Sequence, residues 1–506
     1  RDHLGHHFAR LLFLSAALMS RVYVPERRSC QTLCQNQACC TLSQTSAETN
    51  MFLSVNRLLI STLSSSVRLS SNVRVRNEFL QTRKRIRGRT STRTHFNLPS
   101  SLTVTENKKK KDRVGYPQPD YIYGQPPSDV TPSIQEKKAL SEARLAGPGA
   151  KGPEPSYAFV KGTYTVFESN APFQCEIKDN PMDGVLPKID VAYETWGELN
   201  ADKSNAILLY TGASASSHAK STEANPKSGW WEKFIGPGLA LDTNKYFVVC
   251  TNVLGGCFGS TGPSSIDLDT NEPYGLSFPM ITLADMVRAQ FLLLDNLGVY
   301  RLHATVGASM GGMCSLAAAA MFPHRVSRVI SISAAARAHP TAIALRYMQR
   351  RVLMSDPHWN GGEYYGGHFP VMGMKHAREI ATISYRSGPE WDLRFGRKRT
   401  ISHRTSFEPE FLIETYLDHQ GNSWINNFDP NSFLYISKAT DLFDLSDGHT
   451  SLRAGLSEIR CPTLVIGVQS DILFPIQQQR ELVDGLKEAG NEHVSFYELN
   501  AMYGHD

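Results

Sequence analysis

Thr305-Val306-Gly307-Ala308-Ser309-Met310-Gly311-Gly312-Met313 is the stretch on which the reading of this 506-residue chain turns. It holds the pattern G-x-S-x-G directly after an apolar run at 302–306 and before an Ala-rich run at 316–321. A serine in a strand-to-helix turn that tight needs glycine, or nearly so, two residues before and two after it. The turn lifts the hydroxyl above a sheet and leaves it at a helix N-terminus, where developing negative charge is favoured. Ser309 is therefore the candidate nucleophile. The plain alternative is an ordinary Gly-rich turn between strand and helix.

A nucleophilic serine needs a base and a group to orient it. On a sheet of this kind they follow in the order serine, acid, histidine. Asp471 sits in Ser470-Asp471-Ile472-Leu473-Phe474-Pro475, just after the apolar run 463–468. It is the candidate acid, or else a cap for a helix starting at Pro475. The run 494–499 leads to Tyr503-Gly504-His505-Asp506, which places His505 on the loop after the last strand. Upstream, Leu209-Tyr210-Thr211-Gly212 follows an early strand. The backbone N–H groups of Tyr210 and Met310 are the natural oxyanion donors; the alternative for 209–212 is a simple turn.

Around these residues the chain alternates strand and helix signals. Segments 157–167 and 189–195 alternate like half-buried antiparallel strands. The short apolar runs 206–210, 246–251, 302–306, 326–331 and 463–468 read as strands buried on both faces of a parallel sheet. Helix patterns lie between them: 283–297, with Val287, Phe291 and Leu294 on one face, and 475–489, opened by Pro475 and followed by Gly490. The fold class is α/β with a mostly parallel sheet. Residues 338–445 interrupt the rhythm with a long, aromatic-rich, mostly helical insertion, expected to form a lid.

Composition narrows the partners. The chain is 41% hydrophobic and 20% charged, ordinary for a folded protein. No stretch has the ~18 uninterrupted apolar residues of a membrane-spanning helix. The net charge of +5 conceals an asymmetry. Residues 1–113 hold 20 Lys and Arg against 6 Asp and Glu, so the remainder is net acidic. An acidic body is the reverse of a nucleic-acid-binding one. Small molecules are the expected partners, with neither nucleic acid nor membrane. Four of the nine cysteines (Cys30, Cys34, Cys39, Cys40) crowd the basic segment, in a spacing that matches no zinc site.

Residues 51–99 carry nine Arg, one Lys and a single acid, Glu78, with abundant Ser. That is the profile of a mitochondrial transit segment. The competing readings are a secretory signal centred on 11–19 and a basic tail with no address. Residues 114–155 are rich in Pro and Gly and read as linker. The organisation is thus a basic segment at 1–113, a linker at 114–155 and a catalytic body at 156–506.

Several longer stretches carry a resemblance. They are Tyr193-Glu194-Thr195-Trp196-Gly197-Glu198-Leu199-Asn200, Gly229-Trp230-Trp231 with Ile235-Gly236-Pro237-Gly238, and Asn252-Val253-Leu254-Gly255-Gly256-Cys257 with Gly259-Ser260-Thr261-Gly262-Pro263. Asp285-Met286-Val287-Arg288-Ala289-Gln290, the Ser309 turn and Gly504-His505-Asp506 complete the set. Together they resemble the homoserine/serine O-acyltransferase family of the α/β-hydrolase superfamily, over about 157–506. The lid resembles the fungal serine O-acyltransferase branch in Arg337-Ala338-His339-Pro340, Ala344-Leu345-Arg346-Tyr347, Ser384-Tyr385-Arg386-Ser387-Gly388-Pro389-Glu390-Trp391 and the stretch from Phe411 to Gly421.

The resemblance implies an α/β-hydrolase fold and a two-step acyl transfer. Ser309, His505 and Asp471 would form the triad. Acetyl-CoA or succinyl-CoA would be the donor and L-serine or L-homoserine the acceptor, with no metal and no cofactor beyond the acyl-CoA cosubstrate. Arg378 and Tyr385, seven residues apart on one helix, match the family's substrate-binding pair, and Asp506 matches the acid that takes the substrate's amino group. A homodimer and a role in cysteine or methionine synthesis are also implied. The same triad with water as acceptor would make an esterase or thioesterase; a protein that only binds would be expected to have lost a triad member. Residue 1 is Arg, and family members continue past Asp506 into a further helix, so the sequence is expected to be incomplete.

Overall fold

The computed structural model describes residues 163–178, 181–400, 409–425 and 427–505. The basic segment 1–113, the linker 114–155, the opening residues 156–162 of the body and Asp506 lie outside the described residues.

Ten strands are described: β1 (Thr165–Glu168), β2 (Phe173–Gln174), β3 (Val185–Leu186), β4 (Asp190–Trp196), β5 (Ala206–Tyr210), β6 (Phe247–Thr251), β7 (Ala304–Ala308), β8 (Val329–Ile332), β9 (Thr463–Val468) and β10 (Val494–Leu499). Eight of them form one sheet in the order β1-β4-β6-β5-β7-β8-β9-β10. β1 and β4 pair antiparallel, and so do β4 and β6. From β6 to β10 every pairing is parallel. β5 and β9 are buried at every residue, as their unbroken apolar sequence requires of strands covered on both faces.

The helices are α1 (Leu283–Asn296), α2 (Met310–Met321), α3 (Pro340–Met354), α4 (Val371–Tyr385), α5 (Gly388–Arg394), α6 (Leu412–Trp424), α7 (Pro430–Asp441), α8 (Leu452–Leu456) and α9 (Ile476–Glu488). α1 starts in a capping box: Thr282 accepts from the Asp285 N–H, and Asp285 accepts from the Thr282 N–H. Asp285 also pairs with Arg288, and Gln290 donates to Thr251 Oγ1 at 2.6 Å. Val287, Phe291 and Leu294 are buried in the core. α2 begins at Met310, earlier than the Ala-rich run indicates, because the Ser309 turn feeds directly into it.

α3 to α7 lie between β8 and β9 in the chain and form the lid. The insertion leaves and returns at one place. Ala338 N–H donates to the Phe443 carbonyl and Leu445 N–H to the Ala336 carbonyl, both at 2.9 Å. The lid is thereby hinged on a two-bond clasp beside the carboxyl end of β8. In open parallel sheets ligands bind at the carboxyl ends of the strands.

Candidate active site

The Ser309 turn carries visible strain. Ser309 has φ 59° and ψ −126°, a region that side-chain-bearing residues avoid. Holding it there costs about 1–3 kcal/mol, which the surrounding structure must supply. Its two glycines are sterically obligatory. A Cβ on Gly307 would sit 2.1 Å from the Gly311 carbonyl oxygen, and one on Gly311 would sit 2.6 Å from that of Tyr210. The same contact shows that Tyr210, at the end of β5, packs its backbone against the turn, while its ring is buried in the core. Met310 opens α2, whose first N–H groups have no carbonyl partner within the helix.

The acid and the histidine meet from opposite ends of the last crossover. His505 Nδ1 lies 2.7 Å from Asp471 Oδ2. Asp471 Oδ1 meanwhile accepts from the N–H groups of Leu473 and Phe474, each at 2.8 Å. One carboxylate thus fixes its own turn and the imidazole, so the helix-cap alternative misses half of its role. The Asp471 side chain is fully buried and that of His505 is 8% exposed. The Phe474 ring stacks on the imidazole with centroids 5.3 Å apart. His505 N–H donates to the Tyr385 carbonyl at 2.9 Å, which ties the histidine loop to the end of α4.

Ser309, Met310 and His505 line one cavity of about 680 Å³, roofed by the lid. Arg378 and Tyr385 line it too. The Arg378 guanidinium lies 5.3 Å from the Tyr385 ring centroid and 4.3 Å from that of Trp424 on α6. Among the described residues no carboxylate pairs with Arg378. Asp506, the expected partner of the substrate's ammonium, lies outside the described residues. Among the described residues no three His, Cys, Asp or Glu side chains gather as a metal site.

Several residues that carry the site escaped functional reading in the sequence. Glu194 on β4 accepts from Ser217 Oγ at 2.9 Å and lies 3.0 Å from His218 Nδ1. His218 Nε2 faces the Lys227 carbonyl at 2.8 Å. Burial weighs against charge on that imidazole, but the two acceptors outweigh it and raise its pKa. Asn252 after β6 accepts the Ser217 N–H at 2.5 Å and donates to the Phe258 carbonyl at 2.7 Å. These bonds pin the loop whose residues Gly212 to Ala215 border the same cavity as His505.

Glu232 holds the neighbouring wall. It accepts from Lys220, from Ser221 N–H at 2.7 Å and from Gly229 N–H at 3.0 Å. Burial alone would raise its pKa; these bonds instead lower it to about 2. Trp230 and Trp231 beside it face the cavity, and Trp230 Nε1 donates to the Ser216 carbonyl at 2.9 Å. Glu194, Asn252 and Gly229-Trp230-Trp231 all fall in the stretches that carry the resemblance, and that recurrence was the available signal.

A strained serine turn over a mostly parallel sheet, with Asp471 and His505 joined at its carboxyl edge, defines an α/β-hydrolase. Residues 205–506 match the family model described as the alpha/beta hydrolase fold. The chain is 49% identical over 436 residues to a serine O-succinyltransferase of Emericella nidulans, covering 74% of this chain and 82% of the relative. Among solved structures it is similar to homoserine O-acetyltransferase from Bacillus anthracis, with TM-score 0.63 and 30% identity over 68% of this chain and 92% of that one. It is also similar to esterase E22, with TM-score 0.62 and 30% identity over 68% and 94%. The chain belongs to the homoserine/serine O-acyltransferase family of the α/β-hydrolase fold.

Proposed function

We propose that the protein is an O-acyltransferase of amino-acid biosynthesis. It moves an acetyl or succinyl group from acyl-CoA to the hydroxyl of L-serine or L-homoserine. One observation carries this reading. The cavity that holds Ser309 and His505 also holds Arg378, a cation held by two aromatic rings and paired with no carboxylate among the described residues. Water or a neutral ester needs no such group; the carboxylate of an amino acid does. The relatedness to a serine O-succinyltransferase and to a homoserine O-acetyltransferase supports the two acyl groups and the two acceptors.

In the first half-reaction Ser309 Oγ attacks the thioester carbonyl and His505 takes the hydroxyl proton. Asp471, accepting from Nδ1–H, keeps the ring in the required tautomer. The N–H groups of Met310 and Tyr210 stabilise the oxyanion. The C–S bond breaks, and the CoA thiolate leaves with the proton from His505. In the second half-reaction the amino acid's hydroxyl loses its proton to His505 and attacks acyl-Ser309. The ester bond to Ser309 breaks and the proton returns to Oγ. Arg378 orients the acceptor through its carboxylate, with Tyr385 alongside and Asp506 on the ammonium. The basic composition of residues 51–99 supports a mitochondrial site of action.

The test is a thiol-release assay that crosses acetyl-CoA and succinyl-CoA with L-serine and L-homoserine. Acceptor-dependent release of CoA is the expected result. Release that ignores the amino acid, together with fast hydrolysis of neutral esters, would replace this reading with an esterase.

A further inference from the structure

The loop 210–218 serves the site along its length. It starts at Tyr210, the proposed oxyanion donor. The carbonyls of Tyr210 and Thr211 pack against Gly311 of the nucleophile turn, where an added Cβ would lie 2.6 and 2.8 Å from them. Gly212 to Ala215 border the cavity. The far end of the loop is fastened by one ring. His218 is fully buried, and both nitrogens of its imidazole meet oxygens: Nδ1 lies 3.0 Å from Glu194 Oε2 and Nε2 2.8 Å from the Lys227 carbonyl. A carbonyl can only accept, so Nε2 carries a proton.

Asn252 settles the other nitrogen. Its Nδ2 donates to the Phe258 carbonyl at 2.7 Å and to Ser217 Oγ at 3.0 Å, which leaves the Ser217 hydroxyl proton for Glu194 Oε1 at 2.9 Å. Both Glu194 oxygens then accept, and Nδ1 carries a proton as well. His218 is thus an imidazolium paired with a buried carboxylate. Burial opposes the charge. The bonds to Glu194 and to the Lys227 carbonyl, then the negative charges of Glu194 and Glu232, raise the pKa above the ordinary 6.5. Lys220, the nearby cation on the same stretch of chain, is paired with Glu232. The cavity's tryptophan wall hangs on the same point: Trp230 N–H donates to the His218 carbonyl at 3.4 Å and Trp231 N–H to that of Ala219 at 2.8 Å.

A neutral imidazole has a single N–H, so on losing a proton the ring would turn a lone pair toward one of its two acceptors. An unpaired polar contact of that kind in the interior is costly. We propose that His218 is a positioning residue for the acylation of Ser309: as an imidazolium paired with Glu194 it holds the 210–215 backbone in place for the oxyanion, and it releases that backbone when it gives up its proton. The inference rests on the acyl-transfer reading above and adds an alkaline limit to it. His505 must be neutral to take the Ser309 proton, so it accounts for a rise of rate with pH; His218 accounts for the fall. The clasp is complete below pH 6.5 and is lost as the pH climbs through the raised pKa of the folded protein.

The experiment is rapid mixing with acetyl-CoA or succinyl-CoA from about pH 6 to pH 10, with acyl-Ser309 followed by mass. Leaving the amino acid out removes its ammonium from the profile. The rate for the unaltered protein should rise, level and then fall. Glu194→Gln keeps the shape and an acceptor but not the charge, and should move the falling limb to lower pH by about one unit or more. His218→Gln offers one donor group to two acceptors. It should slow acylation roughly ten- to a hundredfold and remove the falling limb. A falling limb that stays at the same pH in both variants overturns the inference even if both are slower, since residues that merely stabilise the fold would behave that way. Should the variants fail to fold, nitrogen-15 NMR of labelled histidine in the unaltered protein decides. One imidazole with two slowly exchanging ring protons at neutral pH, lost in step with the acylation rate, is expected; its absence overturns the inference. No adduct from either donor at any pH, with that signal present, would overturn the acyl-transfer reading and the positioning role with it, while leaving the ion pair in place.

Discussion

The backbone N–H of His505 donates to the carbonyl of Tyr385 at 2.9 Å, so the last residue of lid helix α4 positions the candidate base. The Tyr385 side chain borders the same cavity. Lid and catalytic loop are therefore one mechanical unit. Ser387 strengthens the tie: its Oγ donates to the Met502 carbonyl and accepts from Glu390 N–H at 3.2 Å.

This latch makes Ser387 a positioning residue. Ser387→Ala removes the bond to Met502 and the cap of α5 together. Loss of the cap alone is worth about 1 kcal/mol. A drop in kcat of roughly three- to tenfold is expected, with little change in KM. Steady-state kinetics beside a thermal melt check this; a lowered melting temperature with unchanged kcat would reduce Ser387 to a helix cap.

Ser309→Ala should abolish acyl transfer, by several powers of ten in rate, and leave the fold in place. Its φ of 59° is as strained for alanine as for serine, so stability should not improve. Brief mixing with acyl-CoA followed by mass measurement of the intact protein is the check. An adduct on the variant would take the nucleophile's role from Ser309.

A stability change with pH is expected from His303. Burial, and then the nearby Arg328 charge, lower its pKa from 6.5 to about 4. Between those values the unfolded chain binds a proton that the folded protein refuses. Stability is therefore full above pH 6.5 and falls as the pH drops toward 4, by about 1–2 kcal/mol after allowance for partial exposure. Denaturant titrations at pH 7, 5.5 and 4.5 should show a shallower decline in His303→Phe than in the unaltered protein. Parallel curves would clear His303 of the effect.

The catalytic turn is readable from sequence because its requirement is steric and local: the Gly307 and Gly311 positions admit no Cβ. The parallel sheet is readable for a similar reason, since strands buried on both faces are apolar throughout. The supporting network is not local. Glu194, His218 and Asn252 converge from β4, from the loop after β5 and from the end of β6. Arg346 and Asp441 are 95 residues apart. Each alone reads as an ordinary polar residue; only the antiparallel return of β4 beside β6, or the packing of α3 on α7, brings the partners together. Trp424 likewise comes from another helix, α6, to supply a face for the Arg378 cation on α4.

Residues 51–155 fused ahead of a reporter should deliver it to mitochondria, because the first half of that segment is basic and nearly free of acids. Imaging with a mitochondrial marker is the measurement. Diffuse or secreted reporter would withdraw the proposed location and leave the chemistry untouched.

Arg378 separates the acyltransferase from the esterase. If it grips a carboxylate, it acts on the second half-reaction alone. Arg378→Ala should then raise the KM for the amino acid roughly thirty- to a hundredfold, the equivalent of about 2–3 kcal/mol for a charge-assisted contact, while acylation of Ser309 continues. Arg378→Lys should recover only part of the loss. An ammonium lacks the planar fork, and it also lacks the flat face that lies 4.3 Å from the Trp424 centroid. Trp424→Leu should produce a milder version of the same defect, because the guanidinium would keep its charge and lose its support. An enzyme working on neutral esters would barely register any of the three changes. Rapid-mixing measurement of the two half-reactions tells these cases apart: if Arg378→Ala slowed acylation and left the amino-acid dependence unchanged, the guanidinium would belong to the CoA side and the acceptor's carboxylate would have to be sought elsewhere in the cavity.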